Sequence, residues 1–241
     1  MDVVQAEGWG YRKGANEEKP NIGSYEEILK GLHAYYVHDS NEKNIYLTFD
    51  NGYEQGYTAA ILDVLQEENV PATFFVTGHY VESEPDLIKR IVKEGHIIGN
   101  HSYSHPDFTS LDESEIKKEL NQVEKAVANL TTQDKTYYVR PPRGTFNRET
   151  TQTLHDLGYI QVFWSLAFKD WEVNEQKGWR YAYDQMMEQV HPGAIVLLHA
   201  VSADNAKALK QTIVDLRAKG YTFKSLDDFM IDILLDGEIL F

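Results

Sequence analysis

From residue 43 onward the chain alternates short apolar runs with longer amphipathic stretches. The runs at 45–49, 72–76, 97–98, 137–139, 160–164, 194–198 and 221–224 have the length and the β-branched or aromatic content of buried strands. Between them, 57–68, 85–93, 114–130, 148–157, 181–190 and 206–219 read as helices, and a last one starts near Leu226. In the first of these, Ile61, Leu62, Val64 and Leu65 gather on one side. Gly95, Gly158 and Gly220 stop helices just before the next strand. This alternation predicts a mostly parallel sheet, open or closed. No Gly-rich dinucleotide or Walker loop follows any strand, which counts against a nucleotide-binding open sheet. A barrel carries its functional groups at the C-terminal ends of several strands. The polar residues of this chain stand there, so the expected fold is a single distorted (β/α) barrel of about seven strands.

Residues 1–42 lack that rhythm and are expected to form an N-terminal extension packed on the body, with 43–241 as the catalytic domain. Ser24-Tyr-Glu-Glu27 has the form of a capping box and predicts a short helix to about residue 32. Trp9, Tyr11, Tyr35 and Tyr36 are expected to fasten the extension by packing. No repeat, low-complexity segment or linker divides the rest.

Composition narrows the partners. With 42% hydrophobic and 12% aromatic residues the chain can build a sizeable core. A net charge of −15 argues against nucleic acid or an anionic membrane surface, although one arginine can still read an anionic substrate. There is no cysteine, so any metal must be held by His, carboxylate or amide. No apolar run approaches the ~20 residues of a membrane span. Residues 1–9 show no positive region followed by an apolar core. The chain is therefore either intracellular or an exported protein whose targeting segment is absent from this sequence. A monomer is expected.

Five strand ends carry candidate chemistry. The buried run 45–49 meets Asp50, Asn51 and Gly52, and a bare buried carboxylate costs several kcal/mol. Asp50 reads either as a turn former or as a catalytic base. His101 and His105 are four apart, so both imidazoles can face one point and hold a metal. Arg140 opens Arg140-Pro-Pro-Arg-Gly144 and reads as a surface guanidinium or as an ion pair that keeps Asp50 ionised. The two prolines lack N–H groups, which leaves Arg143 and Gly144 as the loop's oxyanion donors. His199 with Asp170 suits a general acid, since a carboxylate raises imidazole basicity and fixes its tautomer. His79, His33, His38, His96, His155 and His191 are read as structural.

Thr48-Phe-Asp-Asn51, His101-x-x-x-His105, Arg140-Pro-Pro-Arg-Gly144, Asp170-Trp171 and Leu197-Leu-His199 stand in an order that resembles the five motifs of the polysaccharide deacetylase (NodB-homology, carbohydrate esterase 4) family, over about 43–229. Thr48-Phe-Asp-Asn-Gly-Tyr-Glu54 and Phe163-Trp-Ser-x-Ala167 are similar to its δ-lactam-forming N-acetylmuramic acid deacetylases of spore cortex. The resemblance implies a metal-dependent hydrolase acting on N-acetylated sugars of a peptidoglycan glycan strand, exported or associated with the cell wall. It implies Asp50 as base, Arg140 as its support, His199 as acid tuned by Asp170, and Trp171 and Leu198 as walls of the acetyl pocket. It implies His101 and His105 as ligands of a divalent metal, zinc before cobalt or another ion. Two departures matter. Asn51 stands where most members have a third, anionic ligand, so the metal should be held weakly or without this residue. Arg143 stands where many have an aromatic residue, and a guanidinium can read the lactyl carboxylate of muramic acid. N-acetylglucosamine deacetylation, a glycan-binding module with a decayed metal site, and a glycosidase using Asp50 and Asp170 are the competing readings.

Overall fold

The computed structural model describes residues 5–235; residues 1–4 of the expected extension and 236–241 of the expected catalytic domain lie outside the described residues. In chain order the elements are β1 (Glu7–Gly8), α1 (Tyr25–Leu29), β2 (Ala34–Tyr35), β3 (Asn44–Asn51), α2 (Thr58–Glu68), β4 (Ala72–Val76), α3 (Gly78–Ser83), α4 (Pro85–Lys93), β5 (Ile97–Asn100), α5 (Glu113–Leu130), β6 (Tyr138–Val139), β7 (Thr145–Phe146), α6 (Arg148–Asp156), β8 (Ile160–Val162), α7 (Trp179–Gln189), β9 (Ala194–His199), α8 (Ala203–Ala218), β10 (Thr222–Phe223) and α9 (Leu226–Leu235).

The seven expected strands appear as β3, β4, β5, β6, β8, β9 and β10, joined in one parallel sheet with β2 as an eighth. β3 is its axis: every residue of it is buried, with β4 along one edge and β9 along the other. The sheet curls until the chain beyond β8 meets β9, where Leu197 N–H donates to Leu166 O (2.9 Å) and Ser165 N–H to Ile195 O (3.0 Å). Burial on both faces explains why these strands read as unbroken apolar runs rather than alternating ones. Ile61, Leu62 and Leu65 of α2 and Ile213 and Leu216 of α8 are fully buried in the layer between helices and sheet.

The N-terminal extension enters the fold through several contacts. β2 is a strand of the main sheet, and Phe163 N–H donates to Tyr35 O (2.8 Å). The Trp9 ring stacks on Phe163 (centroids 4.4 Å) while its Nε1–H donates to Trp164 O (2.9 Å). Tyr11 accepts the N–H of Ala167 (2.7 Å). The helix predicted from Ser24 is shorter than expected, ending at Leu29, and Ser24 makes no side-chain cap. α3, which the sequence reading missed, is set by Thr77 accepting the Tyr80 N–H (3.2 Å).

Candidate active site

The C-terminal ends of β3, β4, β5 and β9 lie side by side. Asp50 is in register with His199 of β9, and Asn51 with Val76, which is in register with Asn100 one residue before His101. The sheet itself therefore delivers the acid, the imidazoles and the strand-end amide to one rim.

Arg140 is the most deeply set charge here, fully buried beneath the rim. Its Nη1 donates to Asp50 Oδ1 (2.7 Å), Nη2 to Thr48 Oγ1 (2.8 Å) and Nε to Val162 O (2.9 Å), and the guanidinium lies over the Phe75 ring (4.2 Å). Every face of it is thus occupied, which makes Arg140 a fixed counterion rather than a mobile ligand-binding group. Burial alone would raise the Asp50 pKa. The positive Arg140, aided by His199, outweighs that and holds it below the usual carboxylate value.

Asp50 Oδ2 is 3.5 Å from His101 Nε2. His101 Nδ1–H donates to Arg140 O (2.8 Å), which fixes the tautomer that leaves the Nε2 lone pair facing Asp50. The His101 and His105 rings are 4.9 Å apart between centroids. Burial and the neighbouring His101 pull the His105 pKa down to about 4, so His105 is neutral at pH 7 and able to ligate. Asn51 is fully buried; its amide N–H donates to Thr58 Oγ1 (3.3 Å), and its Oδ1 has no hydrogen-bond partner. Among the described residues no three His, Cys, Asp or Glu side chains form a metal-holding group. Two neutral imidazoles and an orphaned amide oxygen fit a divalent cation held weakly, without the anionic donor that tight binding needs.

Across the rim, Asp170 holds His199 with both oxygens. Oδ1 accepts the ring Nδ1–H (2.7 Å) and Oδ2 the backbone N–H (2.8 Å), with Asn205 Nδ2 on Oδ2 as well. The ring is left with Nε2 free and about a fifth of the side chain exposed (22%). Burial disfavours the imidazolium, yet the Asp170 charge and hydrogen bond exceed it, so the His199 pKa lies above its ordinary value.

Asp50, His101, His105, Trp171 and His199 line one cavity of about 420 Å³. The exposed Trp171 ring stands edge-on to His199 (5.5 Å between centroids). Tyr53, His79 and Tyr103 line the same cavity. Sequence reading missed all three, and His79, taken there as structural, is exposed beside the chemistry. Its place three residues beyond β4 was the available signal. A larger cavity of about 630 Å³, lined among others by Ile22, Leu29, Tyr35 and Ile233, holds none of the paired groups.

Two expected site residues are elsewhere. Leu198 does not wall this cavity: strand alternation turns it opposite to His199, into the layer beneath α7 and α8 beside Ala182, Met186 and Leu209. Gly144 is a packing position rather than a donor. Its N–H is bonded to Pro141 O (3.1 Å) and its O accepts the Trp9 N–H (2.8 Å). At φ +66° a Cβ there would meet the Trp164 ring at 2.7 Å. That leaves the N–H of Arg143, itself at φ 61°, as the loop's donor. The Arg143 side chain is exposed, forms no ion pair among the described residues, and biases the ionisation of His105 and Asp107 nearby.

The sequence model described as polysaccharide deacetylase matches residues 38–162. The peptidoglycan-N-acetylmuramic acid deacetylase PdaA of Bacillus subtilis is 51% identical over 225 residues, 93% of this chain and 86% of that protein. The structure of B. subtilis PdaA, described as a family 4 carbohydrate esterase, superposes with a TM-score of 0.93 at 50% identity, covering 95% of this chain and 98% of that one. The peptidoglycan-N-acetylglucosamine deacetylase PgdA of Listeria monocytogenes is 33% identical over 83% of this chain and 41% of its own length.

Proposed function

Because the chain belongs to the polysaccharide deacetylase family and is a hydrolase, we propose that it removes the acetyl group from N-acetylmuramic acid units of peptidoglycan, as an exported protein acting at the cell wall towards muramic δ-lactam in spore cortex. The observation that carries the reaction is one cavity flanked by an arginine-paired carboxylate and a carboxylate-paired imidazole.

Asp50, kept ionised by Arg140, takes a proton from the attacking water. His199, protonated through Asp170, gives its Nε2 proton to the departing amine, so acetamide and water become acetate and free amine. The Arg143 N–H serves as the donor to the oxyanion. Trp171 shields His199 and walls the acetyl group. A divalent cation, zinc before cobalt or another ion, would be held by His101 and His105 with Asn51 as weak third donor, and when bound it lowers the pKa of a water and polarises a carbonyl.

Choice of sugar rests on Arg143. Its guanidinium, exposed and without an ion pair among the described residues, supports recognition of the lactyl carboxylate that glucosamine lacks. The test is mass spectrometry of peptide-free glycan strands treated with wild type or Arg143→Ala. Loss confined to muramic deacetylation is expected; equal loss on both sugars, or wild-type action on glucosamine units alone, contradicts the assignment and favours the N-acetylglucosamine reading.

A further inference from the structure

Glu54 ends the motif that begins at Thr48, and neither the base nor the acid touches it. Its Oε1 accepts the backbone N–H groups of Gly56 (2.6 Å), Tyr57 (2.8 Å) and Thr58 (3.2 Å) at the start of α2. Its Oε2 accepts the hydroxyls of Thr58 (2.5 Å) and Tyr80 (2.9 Å). Burial works to raise its pKa, but these donors, Thr58 foremost, hold it below the ordinary value. An ionised carboxylate has no hydrogen to give, so the one hydroxyl hydrogen of Thr58 is committed to Glu54. Towards every other neighbour Thr58 Oγ1 is an acceptor, and Asn51 meets it at 3.3 Å. The Tyr80 hydroxyl also approaches that oxygen (3.0 Å), and of the amide's two ends only the NH₂ can bond it. The Asn51 Oδ1 is thereby turned away, fully buried and without a hydrogen-bond partner.

We propose that Glu54 is a positioning residue: through Thr58 it fixes the Asn51 amide with its oxygen, not its nitrogen, free to serve as third donor to a divalent cation. This rests on the reading of His101, His105 and Asn51 as the cation's donors. An aspartate at position 51 would need no such device, because its two oxygens are equivalent. An amide has one end with a lone pair and one without, and a flipped amide offers the cation only N–H groups.

The test is cobalt affinity, followed by visible absorbance, for wild type, Glu54→Gln, Asn51→Asp and the double variant, with thermal melts alongside. In Glu54→Gln the three backbone N–H groups keep the glutamine oxygen, so its NH₂ faces Thr58. The Thr58 hydrogen is then released towards Asn51 and turns the amide. Cobalt affinity should fall about 10–100-fold, whereas in the Asn51→Asp background the same change should alter it within about twofold. A cap that only steadies α2 would act alike in both backgrounds, and equal effects overturn the proposal. If Glu54→Gln fails to fold, Thr58→Val should reproduce the loss and Thr58→Ser should spare it; a Thr58→Val protein with wild-type affinity overturns it equally. Wild-type protein that takes up no cobalt overturns the cation reading itself, an outcome distinct from a wild type that binds and a Glu54→Gln variant that binds as well.

Discussion

Replacing Arg140 by Met removes the counterion of Asp50 while keeping most of the buried volume. Asp50 is 6% exposed, on its cavity side, and Arg140 not at all, so water at the rim does not replace the guanidinium beneath it. Breaking a buried pair from one side costs about 3–5 kcal/mol. At ~2–4 °C per kcal/mol for a chain of this size, the melting temperature should fall by roughly 6–20 °C at pH 7. The cost should also depend on pH. In the wild type the Asp50 pKa is depressed, so its contribution is complete above the unfolded value of about 3.9 and is lost only as pH falls through the folded value. In the variant, burial without Arg140 raises it above the unfolded value. The folded variant then takes up a proton as pH falls from that raised value towards about 3.9, and the gap between the proteins narrows by about 1.4 kcal/mol per pH unit over that window. Urea denaturation of both proteins at pH 7 and pH 5 measures it. A cost under about 1 kcal/mol, or one that is the same at both values, would refute the reasoning.

The lowered Asp50 and raised His199 predict a bell-shaped dependence of kcat/KM on pH, with its acid limb below the ordinary carboxylate value and its alkaline limb above the ordinary imidazole value. Asp170→Asn removes the charge that raises His199, so the alkaline limb should move down in pH and activity at pH 8 should fall ~10²–10⁴-fold. Leu198→Ala should cost about 2–5 kcal/mol in urea denaturation and leave KM for glycan unchanged; a raised KM would return Leu198 to the acetyl pocket.

What was legible in the sequence and what was not divides along a physical line. The seven main strands announced themselves because burial on both faces demands apolar runs, and the polar residues that end them mark the rim. β2 was not legible: two residues long, it is a strand only because β8 supplies its partner. Leu198 was placed in the acetyl pocket by the family resemblance alone, and the two-residue period of the strand turns it away from the face that carries His199. Gly144 was read for its N–H, and a sequence does not show that Pro141 O has already taken it. His79 carries no motif, and Tyr53 and Tyr103 stand inside motifs that were read for their neighbours; only the fold puts the three around one cavity. Glu54 was visible as the end of a motif, but its five donors come from α2 and α3 as well as the loop, and that bonding is tertiary.

The central claim is that Asp50 and His199 act on opposite sides of one acetamide. It is tested most directly by acetate release from peptide-free muramic glycan, with added divalent metal, comparing wild type with Asp50→Asn. Asn keeps a hydrogen-bond acceptor for Arg140, so the variant should retain a native circular dichroism spectrum while releasing acetate ~10²–10⁴-fold more slowly. A folded Asp50→Asn protein that releases acetate at the wild-type rate would contradict the account.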